Sequence, residues 1–178
     1  MGISMTLYLD MDGVIADFFS LLAKENNVKH WKSIKDKERA LVEARNTDFF
    51  NRINEFPSAP KLVQYAMSTG DWGICSSPLR GDRDNSAYWK RIWLQRHGYM
   101  PEVENCIFTA NKHKYAINRL TGKPNILVDD KPDNIKRWQN AGGYGYLYQA
   151  DENDVHDLIK RLQKILIDKI QGAIDGVS

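Results

Sequence analysis

Two pairs of acids stand directly behind apolar runs, and that placement constrains the chain more than any other feature. "YLDMDGVIADFF", residues 8–19, sets Asp10 and Asp12 one residue apart and follows them with Gly13. "NILVDDKPDN" sets Asp129 and Asp130 straight after residues 125–128. Neighbouring carboxylates repel, and burying them among apolar residues is costly unless a cation lies between them or their charge is used. A solvated Asp-Gly turn is the ordinary alternative for the first pair. A calcium loop of the EF-hand kind is excluded, because Val14, Ile15 and Leu21 stand where it needs an oxygen ligand, a glycine and a glutamate.

Short apolar runs predict strands at 5–9, 72–75, 105–108, 125–128 and 144–148. Between them, residues 85–98 follow a helical period through Trp89, Ile92, Trp93 and Arg96, with Gly98 as the stop. Residues 133–143 predict a second helix, with Asp133 as N-cap and the pair Gly142–Gly143 as its end. Strands that alternate with helices and are apolar on both faces imply an α/β fold with a parallel sheet covered on both sides.

From about residue 16 to 56 no strand is predicted; "SIKDKERALVEARN" and "TDFFNRINEF" are helix-like. An all-helical insertion after the first strand would stand over the carboxyl edge of the sheet, where open α/β sheets bind ligands. It is read as a cap over residues 18–56, with the core formed by 1–17 and 57–178. In residues 152–172, Val155, Leu158, Ile159, Leu162, Leu166 and Ile170 share one stripe. That stripe is expected to pack on the sheet, a homodimer contact being the second reading.

Composition narrows the function classes. With 178 residues the chain suits one core and a small accessory lobe. Basic residues exceed acids by only two and form no block, so no footprint for long nucleic acid is present. Cys75 and Cys106 each lie in apolar surroundings and read as core thiols in a reducing, cytoplasmic setting. No apolar run reaches membrane-span length and no signal-peptide pattern is evident, so a soluble protein is expected.

In a parallel sheet the strand ends share one edge. "ICSSPLR" brings Ser76 and Ser77 to it, "FTANKHKYA" brings Lys112 and Lys114, and the two acid pairs complete the set. Four acids and a lysine at one edge suit Mg²⁺ and a phosphate. A carboxylate beside the metal can attack phosphorus and form an aspartyl-phosphate. An acid two residues on can protonate the leaving oxygen. Lysine and hydroxyl donors can hold the transferring group.

"DMDGV", "CSSP", the lysine of "ANKHKYA" and "LVDDKPD" resemble the four motifs of the haloacid dehalogenase (HAD) superfamily of phosphatases, in order. "DMDGVIADF", "FFNRINEFPSAPKLV", "ICSSPLR", "YWKRIWLQRHG" and "LVDDKPDN" are similar to stretches of the 5′(3′)-deoxyribonucleotidases, so the resemblance spans most of residues 5–140. It implies a three-layer, Rossmann-like, HAD-type core with a small helical cap after the first strand. It implies Mg²⁺-dependent hydrolysis of (deoxy)nucleoside monophosphates, with Asp10 as nucleophile and Asp12 as acid/base. The metal would be held by Asp10, the Asp12 backbone carbonyl and Asp130, with Asp129 beside the lysine. Ser76, Ser77 and Lys112 would hold the phosphate, Phe18 would face the base, and Arg80 would stand on a loop beside the phosphate. This chain departs in having Ser76–Ser77 for Thr-Ser, and Ala110 for an arginine two residues before the lysine. A longer stretch between lysine and acid pair leaves Lys114 as an alternative to Lys112.

Trp31, Phe49, Phe50 and Phe56 could line a base slot, but core positions in the cap are the simpler reading. His30, His97, His113 and His156 show no metal spacing and read as solvated helix-face residues. Another small phosphorylated metabolite, the terminal phosphate of a nucleic acid, and a non-catalytic binding module are the competing functions.

Overall fold

Alternation along the strands sorts apolar side chains onto two faces, and each face has its own cover. In the computed structural model, which describes residues 5–175 and side chains through residue 167, the strands are β1 (Leu7–Leu9), β2 (Trp72–Ser76), β3 (Cys106–Phe108), β4 (Ile126–Asp129) and β5 (Tyr144–Leu147). All pairings are parallel, in the order β3-β2-β1-β4-β5. Leu9 pairs with Ile74 on one side and Val128 on the other. Leu7, Leu9, Ile74, Ile126 and Val128 join the larger core cluster. Tyr8, Cys75, Ile107 and Leu127 point the opposite way, into a smaller cluster with Ile135 and Trp138. Two-sided burial of this kind goes with parallel strands, and the expected α/β sheet is observed with every strand where the apolar runs placed it.

The helices are α1 (Phe18–Glu25), α2 (Lys37–Glu43), α3 (Ala59–Ser68), α4 (Arg83–His97), α5 (Pro132–Asn140) and α6 (Val155–Asp175). Gly98 ends α4 in the left-handed conformation, φ 70°. The N-cap of α5 comes two residues earlier than expected: it is Lys131, with Pro132 in the first turn and Asp133 inside it. Proline's fixed φ suits that first position and forces the preceding residue to be extended. On α6, Val155, Leu158 and Leu162 are buried and Ile159 and Leu166 pack against the same core as the sheet; Ile170 lies outside the described side chains. α6 lies beside α3.

The insertion between β1 and α3 holds α1, α2 and two 3₁₀ turns, Trp31–Ser33 and Phe49–Arg52. "SIKDKERALVEARN" forms a shorter helix than its composition suggests. Asp36 caps it, accepting the Arg39 N–H at 2.9 Å, and Asn46 at φ 56° turns the chain away. "TDFFNRINEF" makes only one 3₁₀ turn before running extended. The insertion leaves and rejoins the core side by side: Asp17 N–H donates to Asn54 O at 2.8 Å and Phe56 N–H to Ile15 O at 3.0 Å. The Trp93 indole of α4 donates to Ile53 O at 2.7 Å. Phe18, Leu22, Phe49 and Phe50 belong to the larger core cluster, so the insertion shares one apolar interior with the sheet.

Candidate active site

β1 lies between β2, which follows it through the insertion, and β4, which the chain reaches only after crossing back. The carboxyl ends of β1 and β4 thus flank a topological switch point, the crevice where such sheets receive ligands. Asp10 continues β1, its N–H donating to Val128 O at 2.9 Å, and Asp129 ends β4. After Asp10 the backbone closes into a tight turn in which Met11 O accepts from the N–H groups of Val14, Ile15 and Ala16. Gly13 has φ +81°, and a Cβ there would lie 2.4 Å from Asp130 Oδ2. The glycine after the first acid pair is what lets the turn pass against the second pair.

Carboxylate oxygens of Asp10, Asp129 and Asp130 come within 4.8 Å of one another, and all three residues are buried. Lys112, in the 3₁₀ turn Lys112–Tyr115, puts Nζ 2.9 Å from Asp10 Oδ1 and 2.6 Å from Asp129 Oδ2. Burial works against its charge, but Asp10 and Asp129 outweigh that and raise its pKa. Lys114 is exposed on the same turn, so the lysine between the acid pairs is Lys112. Asp129 is filled: besides Lys112 it accepts from Lys131 N–H at 2.9 Å and from the Asn134 amide at 3.1 and 3.0 Å. Asp130 has no such company, and its buried Oδ1 has no hydrogen-bond partner.

The carboxyls respond differently. Burial pushes Asp10 up, but Lys112 and then Lys90 reverse this and hold it below the ordinary carboxylate value. Asp12 is raised, by burial first and then by Asp10, against the pull of Lys90. Asp129 is raised by burial and Asp10 in spite of Lys112. Asp130 is pushed up to about 8 by burial, Asp10 and Asp129. The cluster therefore holds more negative charge than its cations neutralise. An unpartnered carboxylate oxygen beside two other acids is the donor set a hard divalent cation takes, so the residues fit a metal such as Mg²⁺.

Lys90 is a site residue that sequence reasoning missed. It is 0 % exposed, and its Nζ donates to Asp12 Oδ2 at 2.7 Å, Ser76 Oγ at 2.9 Å and Ser77 O at 3.0 Å. The expected stripe of α4 ran through Trp89, Ile92, Trp93 and Arg96; of these only Trp93 is on the buried face, which runs through Ser86, Ala87, Lys90, Trp93 and Leu94. A lysine one turn before Trp93 and Leu94 on that face was the available signal. Ser76, expected to hold phosphate, is fully buried with its Oγ accepting from Lys90, and it is not among the residues that line the cavity. Ser77 does line it, with its hydroxyl donating to Thr109 O at 3.3 Å.

A cavity of about 330 Å³ opens over the acids. Asp10, Asp12 and Asp130 line it together with Ser77, Arg80 and Lys131, and Lys37 of α2 also reaches it. Its apolar wall is built from Phe18, Phe19, Leu22, Trp31, Leu41 and Phe50, with Pro78 and Leu79 from the loop after β2. Phe18 is where expected but only 9 % exposed, in edge contact with Phe19 and Phe49 and stacked at 6.0 Å with Phe50. Phe49, Phe50 and Phe56 are core residues, as expected, and Phe50 also lines the cavity, as does Trp31, which stacks on Phe19 at 4.8 Å. His30 and His156 are exposed and His113 half-buried, while His97 stacks on Trp93 at 4.0 Å. Cys75 is buried and Cys106 half-buried, both as free thiols.

The same chain path is found in solved hydrolases. A HAD-superfamily hydrolase from Ehrlichia chaffeensis matches with a TM-score of 0.55 over 93 % of this chain and 99 % of its own, at 13 % identity. A phosphonoacetaldehyde hydrolase-like protein from Oleispira antarctica gives 0.54 over 94 % and 86 %, at 15 % identity. By fold the chain resembles this haloacid dehalogenase-like class of hydrolases. Within that class the sequence is similar to proteins named 5′(3′)-deoxyribonucleotidase. It is 24 % identical over 157 residues to the human mitochondrial enzyme of that name, covering 74 % of this chain and 64 % of the human one. It is 27 % identical over 173 residues to a Bordetella pertussis protein provisionally given the same name, covering 84 % and 88 %. The chain thus spans just under two thirds of the human relative's length. No protein-family profile matches it. Among the described residues no helix is long and apolar enough to cross a membrane.

Proposed function

We propose that this chain is a Mg²⁺-dependent phosphomonoesterase that hydrolyses (deoxy)nucleoside monophosphates through a phosphoryl group carried on Asp10. The observation that carries this reading is the lysine-clamped acid cluster, with Asp10 and Asp129 on either side of Lys112 and Asp130 left unpaired beside them. Asp10, Asp130 and the Asp12 backbone carbonyl would hold the metal. When bound, Mg²⁺ would neutralise the acids and draw charge from the phosphoryl oxygens.

The chain's own residues divide the remaining work. Lys112 keeps Asp10 ionised, as an attacking carboxylate must be. Asp12, held above the ordinary carboxyl range, is suited to giving a proton to the leaving oxygen and retrieving one from water. Two acids with their pKa values pushed apart are the usual signature of such a division. Arg80, Ser77 and Lys131 face the cavity where phosphate oxygens would lie. Residues 18–56 would act as a cap over the sheet, and they supply the aromatic wall that would stack on a base.

A cavity of about 330 Å³ suits a small molecule, which supports a mononucleotide or another small phosphorylated metabolite over the end of a nucleic acid. The names of the sequence relatives favour the nucleotide. The test is a panel of phosphomonoesters assayed with Mg²⁺: nucleoside monophosphates, sugar phosphates, a 5′-phosphorylated oligonucleotide and p-nitrophenyl phosphate. Highest kcat/KM on nucleoside monophosphates is expected; equal rates on all of them would leave a phosphatase without nucleotide preference.

A further inference from the structure

We infer that Lys90 is the positioning residue for proton transfer by Asp12, a role that rests on the acid/base reading of Asp12 and goes beyond it. One carboxylate carries two unlike oxygens: Asp12 Oδ2 accepts from Lys90 Nζ at 2.7 Å, and Asp12 Oδ1 is buried without a partner. Anchoring Oδ2 fixes the plane of a carboxyl group whose residue lines the cavity. This is the logic by which a third group orients a catalytic base.

The anchor is itself held. Lys90 Nζ also donates to Ser76 Oγ and to Ser77 O, at the end of β2 and the residue after it, so three oxygens from two strand ends fix the ammonium. Phe50, a wall residue of the cavity, covers it with its ring centroid 4.7 Å away. A cation this dry and this saturated does not roam to a substrate. It is committed to the geometry of Asp12.

The step it serves balances as follows. As the bond from an Asp10 oxygen to phosphorus forms, the bond from phosphorus to the ester oxygen breaks. The ester oxygen keeps that electron pair and takes the proton from the Asp12 carboxyl group, and the alcohol departs. Throughout, Asp12 Oδ2 stays the acceptor of the Lys90 hydrogen bond.

Leaving-group dependence tests this, because a misplaced acid harms only substrates that need the proton. Kinetics would be measured for a nucleoside monophosphate, whose alcohol leaves poorly, and p-nitrophenyl phosphate, whose phenolate leaves unaided. kcat/KM is the readout, since it reports the step in which the leaving group departs. Asp12→Asn should lose far more on the nucleotide than on the aryl ester. Lys90→Met should reproduce that selectivity, losing on the order of 10–100-fold more on the nucleotide, part of the 10²–10⁴ a general acid supplies. Lys90→Gln, which keeps a donor, should fall between Lys90→Met and wild type; if Lys90→Met does not fold, Lys90→Gln is judged alone by the same ratio. Equal loss on both substrates in the Lys90 variants, with Asp12→Asn still selective, would overturn the inference and leave the acid intact. No selectivity in Asp12→Asn would instead remove the acid/base reading, and this inference with it.

Discussion

Gly13 and Asp130 meet so closely that only one of them can carry a side chain: a Cβ on residue 13 would lie 2.4 Å from Asp130 Oδ2, and Gly13 sits at φ +81°. The first acid pair is followed by glycine because the second acid pair fills the space a side chain would need. Gly13→Ala is therefore expected to cost more than about 1 kcal/mol of stability, since alanine is strained at positive φ, and to displace the Asp130 carboxylate. Calorimetric Mg²⁺ binding should be weakened at least about tenfold, or about 1.4 kcal/mol. An unchanged Mg²⁺ affinity would detach Asp130 from the metal.

The raised pKa of Asp130 makes a prediction about pH. Its folded value of about 8 lies above the ordinary carboxylate value of about 3.9. Its contribution to stability is therefore full below about pH 4 and is lost as pH rises through about 8. Asp10, held low, works in the opposite sense, its contribution being lost only in acid below the ordinary carboxylate range. Without metal, the melting temperature should therefore fall from pH 5 to pH 8.5. Metal needs the ionised carboxylate, so added Mg²⁺ should raise the melting temperature more at pH 8.5 than at pH 5. Equal Mg²⁺ shifts at the two pH values would contradict the assignment of Asp130.

Phe18 and Trp31 should separate packing from recognition. Phe18 is almost fully buried against Phe19, Phe49 and Phe50, so Phe18→Ala is expected to cost about 3–5 kcal/mol of stability, as buried aromatic truncations do. Trp31 is half-buried and lines the cavity. Base stacking on an aromatic ring is worth about 1–3 kcal/mol. Trp31→Ala should thus lower kcat/KM for a nucleoside monophosphate by roughly 5–150-fold and leave p-nitrophenyl phosphate nearly unchanged. A common loss on both substrates would make Trp31 a packing residue of the insertion.

How far the sequence reached can be seen in which residues answered to a local pattern. The strands were legible because each is a short apolar run, and the edge they share followed from parallel topology. Asp10, Asp12, Asp129 and Asp130 were legible because acids after buried runs have no bland explanation once they occur twice. Lys90 was not, because helical periodicity is read from apolar residues and a buried lysine breaks the pattern it belongs to. Its anchors, Ser76 Oγ, Ser77 O and Asp12, come from distant parts of the chain. For Ser76 the place at a strand end was legible, but the Lys90 ammonium on its hydroxyl was not. In the insertion the aromatic residues were visible, yet which of them face the cavity depends on turns set by Asp36, Asn46 and Thr47. Phe49 and Phe50 are both buried in the core, yet only Phe50 also reaches the cavity, a difference that composition does not contain.

Phosphate release from a nucleoside monophosphate, compared between the wild type and Asp10→Asn, with and without Mg²⁺, tests the central claim most directly. The wild type should turn over only when Mg²⁺ is present. Asp10→Asn should lose several powers of ten in kcat while keeping its fold, because an amide neither attacks phosphorus nor contributes a charged ligand. Retention of more than about a tenth of the wild-type rate by Asp10→Asn, which is roughly 1.4 kcal/mol of barrier, would contradict a phosphoryl group carried on Asp10.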